Sequence, residues 1–424
     1  MIKPVKYRGQ SADELFGNRA EQSANVEEAV KKIIENVRLN GDKALKEYAE
    51  KFDGFTGSDL EVKKEEFDEA EKAVSAEYIS TLKRSIKNIT AFHEKQLSGG
   101  FEITGGGVTL GQKITPVSCA GIYVPGGTAA YPSTVLMNAI PAKIAGVENL
   151  VMVTPVKADG KVRAEVLCAA KLCGVNKVFK IGGAQAIAAL AYGTQTIPKA
   201  DKITGPGNVF VATAKKLVSG VCGIDMVAGP SEILVLADGG ANPAFVAADM
   251  LSQAEHDALA SALLITDRAS LAEEVAIRLS EQVEKLPRKD IAKKSLEDNC
   301  KIIVTDDLFA AVRLSNEYAP EHLELCVKDP FALFKEVKNA GSVFLGYNTP
   351  EAVGDYYAGA NHTLPTSGTA RFSSPLGVND FLKTVQYVCY SAPALEGVAD
   401  DIITFANSEG LTAHAQSVAV RTKK

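Results

Sequence analysis

Several features that mark large protein classes are missing or scarce in this chain. The seven cysteines, Cys119, Cys168, Cys173, Cys222, Cys300, Cys326 and Cys389, are scattered and contain no Cys-x-x-Cys pair. An odd, unpaired set argues against a disulfide framework and a thiolate zinc site, leaving small buried apolar groups as their reading. Cys119, in SCAGIYVPGG, lies beside a motif but has no histidine near it in sequence to activate it as a nucleophile. Positive charge is not in excess: 46 basic against 52 acidic residues leave a net charge of −6. Nucleic acid and anionic membranes are therefore poor main partners, and a small molecule fits better. No run reaches the roughly 18 apolar residues of a membrane span, and the segment MIKPVKYRGQSADELF lacks the apolar core of a signal peptide. The expected location is the cytoplasm.

What is present is ordinary globular material, 46% apolar and 23% charged. A length of 424 residues exceeds the roughly 250–300 at which one core stops growing, so at least two domains are expected. Two stretches alternate β-rich apolar runs with amphipathic helical ones, the pattern of parallel sheets covered on both faces. The first, about 115–220, predicts strands GIYVP, LVMVTP, KVFKIGG and DKITGPG; the second, about 223–346, predicts EILVLAD, ALLITD, KIIVTD, HLELCV and GSVFLG. Two doubly wound halves follow. Ahead of them, two long amphipathic helices are expected, roughly Val26–Lys51 and Ser75–Lys95, with no strand between. Beyond Pro365 the chain turns loop-rich and ends in a short helical tail too small to hold a core of its own.

Only five histidines occur, His93, His256, His322, His362 and His414, and all but the first stand among carboxylates, amides or glycines. In NPAFVAADMLSQAEHD, Asn242 and Pro243 make an N-cap and first helical residue, which puts Gln253 and His256 three apart on one face. An amide oxygen and an imidazole there suit an easily opened, catalytic metal site, although the same spacing occurs on solvated helices. In EYAPEHLEL, Glu321 and His322 offer two proton acceptors of different intrinsic strength, or form a plain surface pair. Glycines around Asp355 and His362 shape a loop about a ligand or a tight turn. Glu409 and His414, five apart in the tail, converge if a helix starts between them. Glycine-rich junctions at Tyr123, Gln185 and Asn208 each open a helix whose N–H groups favour an anion such as a pyrophosphate, and three together point to a crevice at one sheet's carboxyl edge. A metal-dependent hydrolase or a metabolite-binding protein are the competing readings. The first has no use for a dinucleotide crevice, and the second leaves the histidines unexplained.

These segments resemble the histidinol dehydrogenase family from about residue 105 to the C-terminus, most distinctively in IDMVAGPSEILVLADGGANPAFVAADMLSQAEHD and in GDYYAGANHTLPT. The resemblance implies zinc held by Gln253, His256, Asp355 and His414, acid–base roles for Glu321 and His322, NAD contacts from Tyr123, Gln185 and Asn208, and substrate contacts from Ser231, Glu409 and His362 together with Gln253, His256, His322, Asp355 and His414. It further implies a homodimer whose partner subunit donates Glu409 and His414. The reaction implied is the oxidation of L-histidinol to L-histidine by two NAD through an aldehyde, the last step of histidine biosynthesis. His322 would take the alcohol proton and Glu321 would activate water. The expected fold is α/β, with two incomplete Rossmann-like domains, an N-terminal helical region and a small C-terminal tail domain. The expected division is an arm over 1–22, a first α/β domain over 23–114 with 222–370, a second over 115–221, and a tail over 371–424 that docks on the partner. Ala360 and Thr363 depart from the proline and valine expected beside His362.

Overall fold

The computed structural model describes residues 2–17, 26–126 and 131–422. Its contacts gather into two compact units, Met1–Gln96 with Ser118–Phe381, and Leu97–Val117 with Leu382–Lys424. The strands are β1 (Val5–Lys6), β2 (Phe101–Gly105), β3 (Val108–Pro116), β4 (Cys119–Tyr123), β5 (Asn149–Thr154), β6 (Lys177–Lys180), β7 (Lys202–Thr204), β8 (Gly223–Ile224), β9 (Glu232–Ala237), β10 (Ser261–Thr266), β11 (Lys301–Val304), β12 (His322–Cys326), β13 (Ser342–Leu345) and β14 (Leu382–Tyr390). Among the described residues no helix is long and apolar enough to cross a membrane.

The larger unit holds two parallel sheets, ordered β6-β5-β4-β7-β8 and β1-β11-β10-β9-β12-β13. Apart from edge strand β1, both place their first strand centrally and reverse direction beside it, the doubly wound order. Helices cover both faces, so the central strands are buried throughout: every residue of β9 is buried, as is every residue of β4. All nine expected strands are present, shifted by a few residues at their ends. The N-terminal arm supplies β1, which pairs in parallel with β11 through Val5–Ile303 and Lys6–Val304. Residues 18–22 of that arm lie outside the described residues.

The first long helix is interrupted. Gly41, at φ +52, ends Glu27–Asn40 and starts Asp42–Tyr48, which runs into a π-helical turn Ala49–Asp53. The smaller unit also departs from expectation. Gly106 and Gly107, at φ +59 and +81, make a two-residue turn joining β2 to β3, and β14 pairs antiparallel with the whole of β3. Residues 97–117 thus group with the tail's sheet in the smaller unit. Residues 371–381 stay in the larger unit, where Val378 and Phe381 are fully buried.

Candidate active site

Glu321 and His322 open β12, and Ser231 immediately precedes its neighbour β9. The pair therefore lies at the amino edge of its sheet, opposite the edge where open α/β folds usually bind ligands. At the carboxyl edge of the same switch point, Asp238 accepts from Tyr347 Oη at 2.8 Å and from Lys328 N at 2.8 Å. The helix Pro243–Ala254 follows β9 and returns toward the amino edge, so its C-terminal end brings Gln253 there. Asn242 caps that helix as expected, accepting from Ala244 N at 2.9 Å. His256 sits just past the helix end, not within it, and keeps the three-residue spacing because its N–H donates to Gln253 O at 3.1 Å.

The backbone of Glu232 clamps Glu321 and His322 at two points. Its N–H donates to Glu321 Oε2 at 2.8 Å, and its carbonyl accepts from His322 Nδ1 at 3.0 Å. With Nδ1 protonated, His322 Nε2 carries the lone pair, and this atom is buried without a hydrogen-bond partner among the described residues. Burial holds the His322 pKa below the ordinary imidazole value, a pull that the Asp355 carboxylate opposes. Glu321 is raised well above the usual carboxylate range, first by burial and also by the facing carboxylates of Glu232, Glu351 and Asp355, with the Glu232 N–H acting the other way.

Around His322 Nε2 lie Asp355 Oδ1 at 3.9 Å and Glu351 Oε1 at 4.0 Å. Ligating atoms of these three residues all fall within 4.8 Å of one another, a set able to hold a metal ion. Burial, with repulsion from Glu351, raises Asp355 to about 6, and burial, with a smaller push from Asp249, raises Glu351 to about 7. Crowded, desolvated carboxyls beside an unpartnered imidazole nitrogen are the environment that a divalent cation neutralises. Gln253, 1% exposed, presents its amide to the Glu351 carboxylate at 3.2 Å when nitrogen is the group facing it. His256 Nδ1 donates to Ser252 O at 2.8 Å, which leaves Nε2 as the free ligand atom. His362 Nδ1 lies 3.9 Å from Asp355 Oδ1, and burial lowers its pKa to about 4.

Gln253, His256, His322, Asp355 and His362 are thus joined to one cluster, with Glu321 and Ser231 on the same edge. Glu351 is the residue that sequence reasoning missed. A short helix Glu351–Val353 continues into a π-helical turn Gly354–Ala358, so Glu351 and Asp355, four apart, project together. That spacing was the available signal. Thr363 Oγ1 is buried with no hydrogen-bond partner among the described residues. Glu409 and His414 belong to the smaller unit, where both are exposed; a helix Thr412–Thr422 does begin between them.

The glycine junctions occupy the carboxyl edge of the other sheet. Tyr123, Gln185 and Asn208 line one cavity of about 870 Å³ there, along with Asp53, Pro155 and Gly183. Tyr123 Oη accepts from Gly183 N at 3.0 Å and so ties two junctions together. Asn208 caps the helix Val209–Val218, its Oδ1 accepting from Phe210 N and Val211 N. The third junction is braced by a buried ion pair of Lys215 with Asp225: Lys215 Nζ also donates to Gly205 O at 2.9 Å, and Asp225 accepts from Gly205 N at 2.8 Å.

Two doubly wound sheets, one with a roomy carboxyl-edge crevice and one with a buried cluster of histidines and carboxylates, define an α/β enzyme. A family model described as histidinol dehydrogenase matches residues 17–422. The histidinol dehydrogenase of Streptococcus mutans is 53% identical over 406 residues, covering 96% of this chain and 95% of that one. The Lactococcus lactis histidinol dehydrogenase is 47% identical, covering 99% of each. The crystal structure of histidinol dehydrogenase from Elizabethkingia anophelis superposes with a TM-score of 0.95 at 38% identity, over 100% of this chain and 98% of the other. The chain belongs to the histidinol dehydrogenase family and is an oxidoreductase.

Proposed function

We propose that this protein oxidises L-histidinol to L-histidine through the aldehyde, in the cytoplasm, using two NAD and one zinc ion per subunit. The observation that carries the reading is the buried Nε2 of His322, without a hydrogen-bond partner among the described residues, which faces Glu351 and Asp355 while Glu321 stands 3.6 Å from Nδ1. Gln253, His256 and Asp355 would hold the zinc, with His414 of a second copy in a homodimer, and Glu351 would orient the Gln253 amide. When bound, the zinc supplies Lewis acidity and positions for the substrate's nitrogen donors, and NAD in the Tyr123, Gln185 and Asn208 crevice accepts the hydrides.

The proton chemistry falls to the chain's own side chains. His322, held neutral by burial, takes the hydroxyl proton at Nε2 while Glu232 O holds Nδ1–H and keeps the ring in place. In the second oxidation, Glu321 takes a proton from the water that adds to the aldehyde. A buried carboxyl with raised proton affinity is a stronger base once ionised. Ser231, His362 and the partner copy's Glu409 would complete the substrate's surroundings. Addition of L-histidinol and excess NAD to the purified chain tests the reading through NADH absorbance. Two equivalents per substrate are expected; one equivalent would reduce it to a simple alcohol dehydrogenase, and none would overturn it. Mixing a variant ending at residue 408 with full-length His322→Asn tests the shared site, and recovered activity is expected only if tails are exchanged between copies.

A further inference from the structure

His93, the one histidine outside every motif, is fully buried at the C-terminal end of the helix Ala76–His93. Its Nδ1 meets Gln96 Oε1 at 2.8 Å, and that oxygen also accepts from Val378 N at 3.0 Å, so the Nδ1 position must carry a proton. Its Nε2 is then an acceptor, and the Asn361 amide nitrogen stands 3.4 Å from it. Asn361 in turn donates to Met137 O at 2.7 Å and accepts from Thr363 N at 2.8 Å. Every polar atom of this amide is therefore assigned one orientation, and the backbone on both sides of His362 is tied to it.

The rest of the same helix grips the preceding segment. Ser85 Oγ donates to Tyr356 O at 2.7 Å and Asn88 Nδ2 donates to Tyr357 O at 2.9 Å. Gly359, at φ +114, passes so close that a Cβ there would meet Asn88 O at 2.7 Å. From Tyr356 to Thr363 the loop is thus anchored along one face of the helix, with His93 as its last anchor.

We infer that His93 is a positioning residue for the reaction: through Asn361 it fixes the backbone that aims His362 into the site. The inference rests on the reading of His362 as a substrate-holding residue. A neutral imidazole is required for the polarity of the network, since a second N–H at Nε2 would face the Asn361 amide donor. Burial supports that state by lowering the His93 pKa.

The test uses the full chain with zinc and NAD. His93→Leu removes the acceptor at similar volume, and His93→Gln returns an amide oxygen to it. His93→Leu is expected to raise the KM for L-histidinol roughly tenfold, leaving the KM for NAD unchanged, because a displaced contact weakens substrate binding selectively. His93→Gln should recover most of that loss. Amide hydrogen exchange of the segment 354–363, followed by mass spectrometry, should quicken in His93→Leu and return toward the original rate in His93→Gln. A His93→Leu variant that loses turnover in proportion to its folded fraction, with both KM values unchanged, would show a purely structural role and overturn the inference. So would unchanged exchange in the loop. Normal KM for L-histidinol in His362→Asn, with quickened exchange in His93→Leu, would instead remove His362 from substrate binding while leaving His93 as the loop's anchor.

Discussion

Replacing Lys215 by Met keeps the aliphatic stem and removes the charge that joins Asp225 to the Gly205 carbonyl. The two side chains are 2% and 0% exposed, so the carboxylate left behind has no route to water. Breaking a buried pair from one side costs about 3–5 kcal/mol. Asp225 keeps the N–H groups of Gly205 and Met226, at 2.8 and 2.6 Å, which places the expected loss at the lower end, near 3 kcal/mol. That is roughly a 150-fold change in the folded-to-unfolded ratio. Urea unfolding followed by circular dichroism should show a lower midpoint with an unchanged slope. A Lys215→Met/Asp225→Asn double variant removes the stranded charge and retains one acceptor, so it should recover about half of the loss. Because Gly205 opens the turn that leads to Asn208, the KM for NAD should rise in the single variant while that for L-histidinol holds. A loss below about 1 kcal/mol, or a double variant worse than the single, would refute the account of this pair as the brace of the turn.

Glu351→Gln should loosen zinc by about 10–100-fold in a chelator competition, since the carboxylate faces the Gln253 amide; unchanged retention would remove Glu351 from the metal's surroundings. Thr363→Val exchanges an unpartnered buried hydroxyl for a methyl of like shape and should stabilise the fold by about 1 kcal/mol; a lowered Tm would mean the hydroxyl has a partner. Burial raises the Asp53 carboxyl to about 6, so the folded chain holds this proton more tightly than the unfolded chain. Stability from this group is present below the ordinary aspartate value of about 3.9 and is lost as pH rises through about 6. Asp53→Asn should therefore gain Tm on the parent between pH 4 and pH 7.5, and a constant difference would count against the shift.

The nine buried strands were legible because each is a short apolar run between turn residues, and a run of that kind tolerates few alternatives. Asn242 with Pro243, and the glycine junctions around Tyr123, Gln185 and Asn208, were equally readable, since each motif performs a local backbone task. Sequence could not show that Glu321 and His322 lie on the amino edge, because that depends on which strand they open and in which direction it runs. The hairpin of β2 and β3 carried its turn signal in Gly106–Gly107, but its principal partner β14 is more than 260 residues away, and its strands face solvent without a clear apolar alternation. For Glu351 the four-residue spacing to Asp355 was in the sequence, but the π-helical turn that sets the two side by side is announced by no residue type. His93 looked like an isolated histidine because Asn361, which faces its Nε2, is 268 residues further along the chain.

The same strand order appears twice, yet the cavity of one copy opens at its carboxyl rim while the carboxylate cluster of the other gathers at its amino rim. Loops on the open rim, such as 155–163, can therefore lengthen or change charge without disturbing the strand starts that hold Glu321 and His322. On the proposed reading, nicotinamide preference and proton chemistry become separately adjustable parts of one subunit, and redesign of the first need not begin by rebuilding the second.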